Sequence, residues 1–245
     1  MRRDTRLLPA RASAFAGLLL AALSFAGPAQ AQTALTPHIA DYKVKISVLG
    51  GNLRTKLSST ANGFTAERIT TPTGFAKLVA GGTIQEVSEF SVTADGLRPS
   101  RYYSNDEISK KAGETSISFD WDTGEATASH NDQHVSAVLE DLAHDRLSIQ
   151  YELMYDLLNE LPVDSYLVFE VDKLRSLQIT KVGTQTVKVP AGKYEAIGIR
   201  HQAEGSSRVT TFWCVEELGY LPVIIERHRK GKLQMRAMLK AYTAL

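Results

Sequence analysis

The stretch Ser206–Leu239, SSRVTTFWCVEELGYLPVIIERHRKGKLQMRAML, predicts three successive antiparallel strands. Apolar and polar residues alternate within it, which is typical of a sheet with one buried face. The last strand shows this most clearly, because one face carries Leu233, Met235, Ala237 and Leu239. Lys230-Gly231 is typical of a hairpin turn, since glycine readily adopts a positive φ. We therefore expect this stretch to cover a core.

The same alternation recurs along most of the chain. It is clear between Ala40 and Val48. Turn signals such as Asn62-Gly63 recur about every 8 to 14 residues along the chain. Gly50-Gly51-Asn52 is interpreted as a turn and Gly183 as a boundary between two strands. About twelve to fifteen strands are expected. The predicted fold class is mainly β: a strongly curved antiparallel sheet or half-open β-barrel, with a β-sandwich as the alternative.

One segment breaks the alternation and predicts a central α-helix. From Asp145 to Leu161, apolar residues recur in steps of four and three, which is typical of one face of an amphipathic helix. Asp145 is a suitable N-cap, and Pro162 would stop the helix. We expect this helix to lie across an opening or a face of the sheet. Residues Thr71–Gly82 are expected to form either a mobile loop or a short lid helix.

The first 31 residues predict a secretory signal peptide. A basic leader precedes an apolar run, Ala14–Ala26, and Ala29-Gln30-Ala31 is a typical cleavage site. A membrane anchor is the alternative, but the run is shorter than the roughly 20 residues that a spanning helix needs. We expect a periplasmic protein cleaved after Ala31, with a linker at residues 32–39 and one β-rich domain at residues 40–245. No integral membrane segment is expected after cleavage.

Charge and cysteine content narrow the classes of partner. The 214 residues after the predicted cleavage site carry 24 basic and 26 acidic side chains, a net charge of −2. This balance gives no electrostatic reason to expect nucleic acid or an anionic membrane surface as a partner. Cys214 is the only cysteine, so no internal disulfide can form. We interpret it as a small buried residue rather than as an activated thiol.

Motifs for catalysis or metal binding are not evident. The sequence has no G-x-S-x-G or S-x-x-K motif. The carboxylate pairs Glu216-Glu217, Asp120 with Asp122, and Glu140-Asp141 are interpreted as exposed turn residues. His130 and His134 flank a predicted turn and do not share a helix face, so we predict no metal site. No catalytic residue and no cofactor are predicted.

Aromatic residues supply the candidate ligand-binding positions. Tyrosine and tryptophan suit core packing, and they also suit contact with a sugar or a lipid. The candidates are Tyr102, Trp121, Tyr151, Tyr194 and Trp213. An anionic group could be held by Arg98, Arg101, Arg200 and Arg208, although these side chains could equally be solvated.

Five short motifs, taken in order, resemble the bacterial family named domain of unknown function 3108. They are Asp120-Trp121 with its turn, Asp145-Arg146-Leu147-Ser148, Val189-Pro190-Ala191-Gly192-Lys193-Tyr194, the strand of Trp213, and Tyr220-Leu221-Pro222-Val223. The resemblance covers Ala40 to Leu239. It implies an exported, mostly β protein without an established activity, and it assigns no catalytic residues.

Three functions stay open at this point. The first is a non-enzymatic envelope protein that binds or carries an apolar or amphipathic ligand, a lipid or a glycan, in the concavity of the sheet. The second is a scaffold that binds another envelope protein, and the third is a hydrolase acting on cell-wall or polysaccharide material. A large apolar cavity would favour the first. A filled interior with an exposed apolar patch would favour the second, and facing carboxyl groups would favour the third.

Overall fold

One sheet of fifteen strands forms the described part of the fold. The computed structural model describes residues 34–79, 81–109, 112–131, 133–162, 164–171 and 173–245. All strand pairs are antiparallel except β9 with β10. The prediction of a mainly β, curved antiparallel sheet is confirmed. The sandwich alternative is not what forms, because the strands make one continuous, open sheet.

The element bounds follow the chain. The strands are β1 (His38–Ile46), β2 (Leu49–Thr60), β3 (Gly63–Thr73), β4 (Ile84–Thr93), β5 (Gly96–Asp106), β6 (Gly113–Asp120), β7 (Glu125–His130), β8 (Gln133–Val138), β9 (Ala143–His144), β10 (Ser165–Glu170), β11 (Lys173–Val189), β12 (Gly192–Ala203), β13 (Arg208–Val215), β14 (Leu221–Arg229) and β15 (Lys232–Ala244). The helices are α1 (Phe75–Val79), α2 (Ser148–Leu158) and a 3-10 turn at Glu216–Leu218.

The strand order explains why the sheet curls. From β1 the chain steps outward strand by strand to one edge at β8, and it then returns from the other edge at β9 inward to β15, which pairs with β1. Only residues 139–142 separate β8 from β9 along the chain. Because so short a connection spans little distance, the two edges must approach each other. The sheet is therefore a half-open barrel with a concave, core-facing side.

Helix α2 follows β9 and lies inside this curve. Asp145 fixes the backbone turn before the helix, because Asp145 Oδ1 accepts hydrogen bonds from the backbone N–H groups of Leu147 (2.7 Å) and Ser148 (2.9 Å). The Ser148 hydroxyl in turn accepts a hydrogen bond from the Asp145 N–H at 3.0 Å. This reciprocal arrangement satisfies N–H groups that a helix start leaves unpaired. Asp145 therefore closes the turn that leads into α2, although the N-cap position itself is Leu147, two residues later than predicted, and makes no side-chain capping hydrogen bond.

The predicted amphipathic character of α2 is wrong. Ten of its eleven residues are buried, and they face two separate hydrophobic clusters. One side packs Tyr151, Met154 and Tyr155 against the main core, and the other packs Ile149, Leu153 and Leu157 against β10, β12 and β13. The sheet surrounds the helix, so its polar positions are buried as well. The helix is also shorter than the predicted span 145–161, since it ends at Leu158 and Glu160 adopts a φ of 55°.

Several predicted turns and boundaries shift. The first hairpin turns at Ser47-Val48, and Gly50-Gly51-Asn52 lies within β2 instead. Gly183 interrupts no strand, because β11 runs through it with a bulge near this position. β1 starts at His38, two residues before the predicted domain boundary. The segment 71–82 contains the short helix α1, and a lid role for it stays a prediction.

Candidate anion-binding site

Basic side chains lie opposite one another where β13, β14 and β15 meet one end of the sheet. Arg208 is the register partner of Arg229, and Arg229 is the register partner of Lys232. Like charges placed directly opposite on neighbouring strands destabilise a sheet. The sequence RHRKGK at 227–232 contains this pattern, but only the strand register brings Arg208 into it.

Arg227 extends this group along the concave side of the sheet. It alternates with Val223 and Ile225, which are both buried in the core. Partial burial lowers the pKa of Arg227, and the positive charges of Arg68, Arg208 and Arg146 lower it further. These guanidinium groups therefore share one region. We call the set Arg68, Arg146, Arg208, Arg227, Arg229 and Lys232 the cationic mouth.

Few carboxylates balance the cationic mouth. Arg68 forms a two-point ion pair with Glu86, with both N···O distances 2.6 Å. Arg146 Nε lies 4.0 Å from Glu170 Oε1, a carboxylate that also pairs with Arg175. Within the described residues, Arg208, Arg227 and Arg229 take part in no ion pair. The region therefore carries uncompensated positive charge, which suits an anionic ligand.

A polar row crosses the core-facing side next to the cationic mouth. Thr55, Arg68, Glu86, Ser104 and Thr115 are successive register partners on β2 to β6. Burial alone would raise the pKa of Glu86, but the charge and hydrogen bonds of Arg68 hold that pKa below its ordinary value. Glu86 is therefore ionised, and it is committed to Arg68.

Two buried hydroxyl groups lie beside Arg68. The Tyr151 hydroxyl and Thr55 Oγ1 face each other, and a hydrogen bond between them lowers the pKa of Tyr151, although their geometry is not that of a well-formed bond. Burial raises the pKa of Tyr151, and the charge of Arg68 partly offsets this rise, which places the phenol near that guanidinium. A hydroxyl group has one donor and two acceptor sites, so this pair keeps hydrogen-bonding capacity for a ligand oxygen that reaches Arg68.

The structure brings two of the five candidate aromatic residues to this region. Tyr102 donates a hydrogen bond to Glu86 Oε1 at 2.8 Å, and Tyr151 lies beside Arg68. Trp121 instead stacks on Phe119 at 5.9 Å near the other end of the sheet, where its Nε1 donates to a backbone oxygen. Tyr194 and Trp213 are half-buried on β12 and β13. The structure does not test a ligand role for any of the five, so all five stay predictions.

Only one of the four arginines suggested for anion binding lies in the cationic mouth. Arg208 belongs to it, whereas Arg98 pairs with Asp95 and lies over the Trp121 ring at 5.4 Å. Arg101 lines a surface groove of about 610 Å³ on β5 to β8. The sequence signal that was missed is the density of basic residues around Lys230-Gly231, which we interpreted only as a turn.

The buried carboxyl groups of α2 do not form a catalytic pair across a cleft. Glu152 Oε2 accepts a hydrogen bond from the Leu97 N–H at 2.7 Å, and Asp156 Oδ2 accepts one from the Tyr166 hydroxyl at 2.7 Å. Burial and the nearby charge of Asp156 raise the pKa of Glu152 to about 8. Burial raises the pKa of Asp156 to about 6. Each group holds a neighbouring element against the helix.

The other sequence candidates for chemistry lie in turns or in the core. Asp120 Oδ1 accepts hydrogen bonds from the N–H groups of Asp122 and Thr123, which closes a turn. His130 and His134 lie on adjacent strands but are not register partners. In the part of the chain that the structure describes, no group of three or more potential ligands is placed to hold a metal. Cys214 is fully buried, and burial raises the pKa of its thiol.

A family model described as "Protein of unknown function (DUF3108)" matches residues 38–237. The chain belongs to the DUF3108 family. The family predicted from five short motifs is therefore confirmed. None of the curated proteins matches this DUF3108 protein.

Solved structures resemble this DUF3108 protein in fold. A β-barrel-like protein of the domain-of-unknown-function family DUF1849 from Brucella abortus aligns with a TM-score of 0.57 at 13% identity, over 86% of this chain and 99% of that one. A protein from Bacteroides fragilis NCTC 9343, provisionally described as exported and of YmcC-like fold, aligns at 11% identity over 86% of this chain and 97% of that one, with a TM-score of 0.33. The first likeness supports the β-barrel-like fold.

Among the described residues, no helix is long and apolar enough to cross a membrane.

Proposed function

We propose that this DUF3108 protein is a non-enzymatic periplasmic binding protein that holds the anionic headgroup of an amphipathic ligand at the cationic mouth. The observation that carries the proposal is the placement of Arg208, Arg227 and Arg229 on one side of the sheet end without ion-pair partners among the described residues. Like charges directly opposite each other weaken a sheet, so an anion bound at this end would relieve a repulsion that the fold otherwise carries.

The interior favours a site at the mouth over a site in a hollow. Helix α2 fills the curve of the sheet, and the pocket between α2 and β10 to β13 has a volume of only about 10 Å³. A single water molecule needs roughly 10–15 Å³ on this measure. An acyl chain therefore does not fit beside the helix there. The ligand's charged group would instead contact the cationic mouth, with Tyr151 and Thr55 supplying hydrogen bonds.

Titration calorimetry with a soluble short-chain lipid tests the proposal. Dihexanoyl phosphatidylglycerol supplies the anionic headgroup, dihexanoyl phosphatidylcholine is the zwitterionic control, and inorganic phosphate tests whether the charge alone suffices. We expect the phosphatidylglycerol to bind more tightly than both, and salt to weaken its binding. The double substitution Arg208→Gln and Arg229→Gln should weaken binding about tenfold or more, because hydrogen bonds to charged groups contribute about 1.5–3 kcal/mol each.

A matched control exists at the opposite end of the sheet. Lys188 and Lys193 are also exposed register partners of like charge, on β11 and β12, and they do not belong to the cationic mouth. Replacing both by glutamine removes the same charge and should leave the affinity unchanged. Equal binding of the phosphatidylcholine, or equal loss in the lysine variant, would contradict the proposal.

The scaffold alternative retains one supporting observation. β8 is an edge strand that pairs only with β7 among the described strands, and Val138 at its end is 69% exposed. An unpaired edge can accept a strand from a partner protein. Failure of every lipid and of phosphate in the calorimetric test would favour this alternative.

A further inference from the structure

Large apolar side chains are exposed at the same end of the sheet as the cationic mouth. Val48 is 88% exposed, Leu78 83%, Phe75 71%, Ile46 50% and Leu233 45%. We call these five residues the apolar tip. Single exposed apolar residues are normal on protein surfaces, but a cluster of them marks an interaction site.

Three separate parts of the chain bring the apolar tip together. The β1–β2 turn carries Ile46 and Val48, and the Ser47 N–H within it donates to the backbone oxygen of Gln234 at 3.3 Å, next to Leu233. Helix α1, with Phe75 and Leu78 on successive turns, contacts β2 and β3. The tip is therefore a product of the fold and not of one apolar segment.

Apolar residues elsewhere are more scattered. The remaining exposed large hydrophobic residues of the described chain lie on several elements and are exposed by 69% or less. They are Ile69, Val92, Tyr103, Val138, Leu161 and Leu245. These residues supply matched positions for control substitutions.

Basic side chains surround the apolar tip. Ile46 is the register partner of Met235, and Met235 is the register partner of Arg227 of the cationic mouth. Lys45, Lys77, Lys230 and Lys232 are exposed beside the tip on β1, α1 and the β14–β15 hairpin. Apolar residues flanked by cations complement a bilayer surface with anionic headgroups, because the apolar side chains enter the interfacial layer and the cations attract the headgroups. A protein partner would have to supply both an apolar face and excess negative charge.

We propose that the apolar tip inserts into the surface of an anionic lipid bilayer and thereby places the cationic mouth against the headgroups. This inference deepens the proposed function, since it identifies the bilayer as the place where the anionic amphiphile is met. Insertion needs no membrane-spanning segment, because the tip reaches only the interfacial layer.

Vesicle binding of the exported, processed protein tests the inference. Sucrose-loaded vesicles of phosphatidylcholine and phosphatidylglycerol in about a 3:1 ratio should sediment the protein, and vesicles of phosphatidylcholine alone should sediment much less. The triple substitution Val48→Ser, Phe75→Ser and Leu78→Ser should reduce the partition coefficient about tenfold or more, because it removes the apolar side chains that would enter the interfacial layer. The control, Val92→Ser with Val138→Ser, should stay within about twofold of the wild type.

A fluorescence measurement reports insertion directly. Phe75→Trp keeps an aromatic residue at the tip, and its emission should shift to shorter wavelength on vesicles and be quenched by brominated acyl chains. Vesicle binding without either change would overturn the inference. A tip-dependent dimer in light scattering without vesicles, or equal loss of vesicle binding in the control variant, would also overturn it.

The two proposals fail in distinguishable ways. The triple serine variant should keep the wild-type affinity for dihexanoyl phosphatidylglycerol in solution, because the cationic mouth is intact. If the wild type binds this lipid in solution but no vesicle, the inference about the tip is wrong and the proposed function stands. If neither binds, both are wrong.

Discussion

Helix α2 and the cationic mouth place charge in opposite settings. On α2, Glu152 and Asp156 are buried, and each carboxyl group accepts a hydrogen bond at 2.7 Å from a neighbouring element. In the cationic mouth, Arg208 and Arg229 are exposed and lie opposite each other without an ion pair among the described residues. Polar groups with partners stabilise the fold, whereas like charges without partners weaken it. The comparison separates side chains that build this protein from side chains available to bind.

Removing the helix cap should produce the largest effect on the structural side of this comparison. Asp145→Ala loses two backbone hydrogen bonds and leaves the Ser88 hydroxyl, now 2.6 Å from Asp145 Oδ2, buried and unpaired. We expect the free energy of unfolding in urea to fall by about 2–4 kcal/mol. Ser88→Ala, which removes one hydrogen bond, should cost about 1 kcal/mol. A change below about 0.5 kcal/mol in the alanine variant would show that Asp145 is not a structural residue.

The pH dependence of stability should identify Glu152. Its pKa is raised to about 8 in the folded protein from an ordinary 4.5, so its contribution to stability is fully present below pH 4.5 and is lost as the pH rises to about 8. Glu152→Gln removes this dependence, because the amide stays neutral. The free energy of unfolding of the variant should match that of the wild type at low pH and exceed it at alkaline pH. The difference should be at most about 1.4 kcal/mol for each unit by which the pKa of Glu152 is raised.

Urea unfolding across this pH range checks the second prediction. Asp156, whose pKa is raised to about 6, remains in the variant and should leave a weaker slope below that pH. The contrary result would be a loss of stability between pH 6 and pH 8, on the order of 1 kcal/mol or more, that is the same in the wild type and in Glu152→Gln. It would show that Glu152 is already ionised in the folded protein at pH 6.

The smallest effect on stability has the opposite sign and lies in the cationic mouth. Arg208→Gln with Arg229→Gln should raise the free energy of unfolding by about 0.2–1 kcal/mol at low salt, because it removes a like-charge register pair. Lys188→Gln with Lys193→Gln should give a similar gain, but only the arginine variant should lose lipid affinity. High salt should abolish both gains. Destabilisation of the arginine variant would assign these arginines to the structure and not to binding.

Sequence periodicity was sufficient to predict the strands, but it did not predict which polar side chains are buried. Alternation and the positive φ values of Lys230 and Gly231 agree with the predicted hairpin. The same reasoning predicted an amphipathic α2 from apolar residues in steps of four and three, but Gln150, Glu152 and Asp156 are buried as well. Glu152 and Asp156 accept hydrogen bonds from Leu97 on β5 and Tyr166 on β10, outside the helix, and the local pattern does not contain that information.

The site could be predicted only in fragments for the same reason. Tyr102, Tyr151 and Arg208 were each identified, but for separate reasons. Arg68, Arg146 and Arg227 join them only because β3, the start of α2 and β14 meet around the curve of the sheet. Distances between such segments are set by strand order and register, which sequence spacing does not encode.

The amino-acid sequence by itself determined the family, the alternating strands, the capped helix and the lone buried cysteine, because each depends on neighbours within a few residues. Only the tertiary structure decided that the helix fills the curve of the sheet and that arginines without ion-pair partners share one end of it. It also decided that apolar side chains from three segments lie beside them. The physical reason is that a side chain's hydrogen bonds, charge neighbours and exposure depend on strand register and sheet curvature, and these are properties of the whole fold.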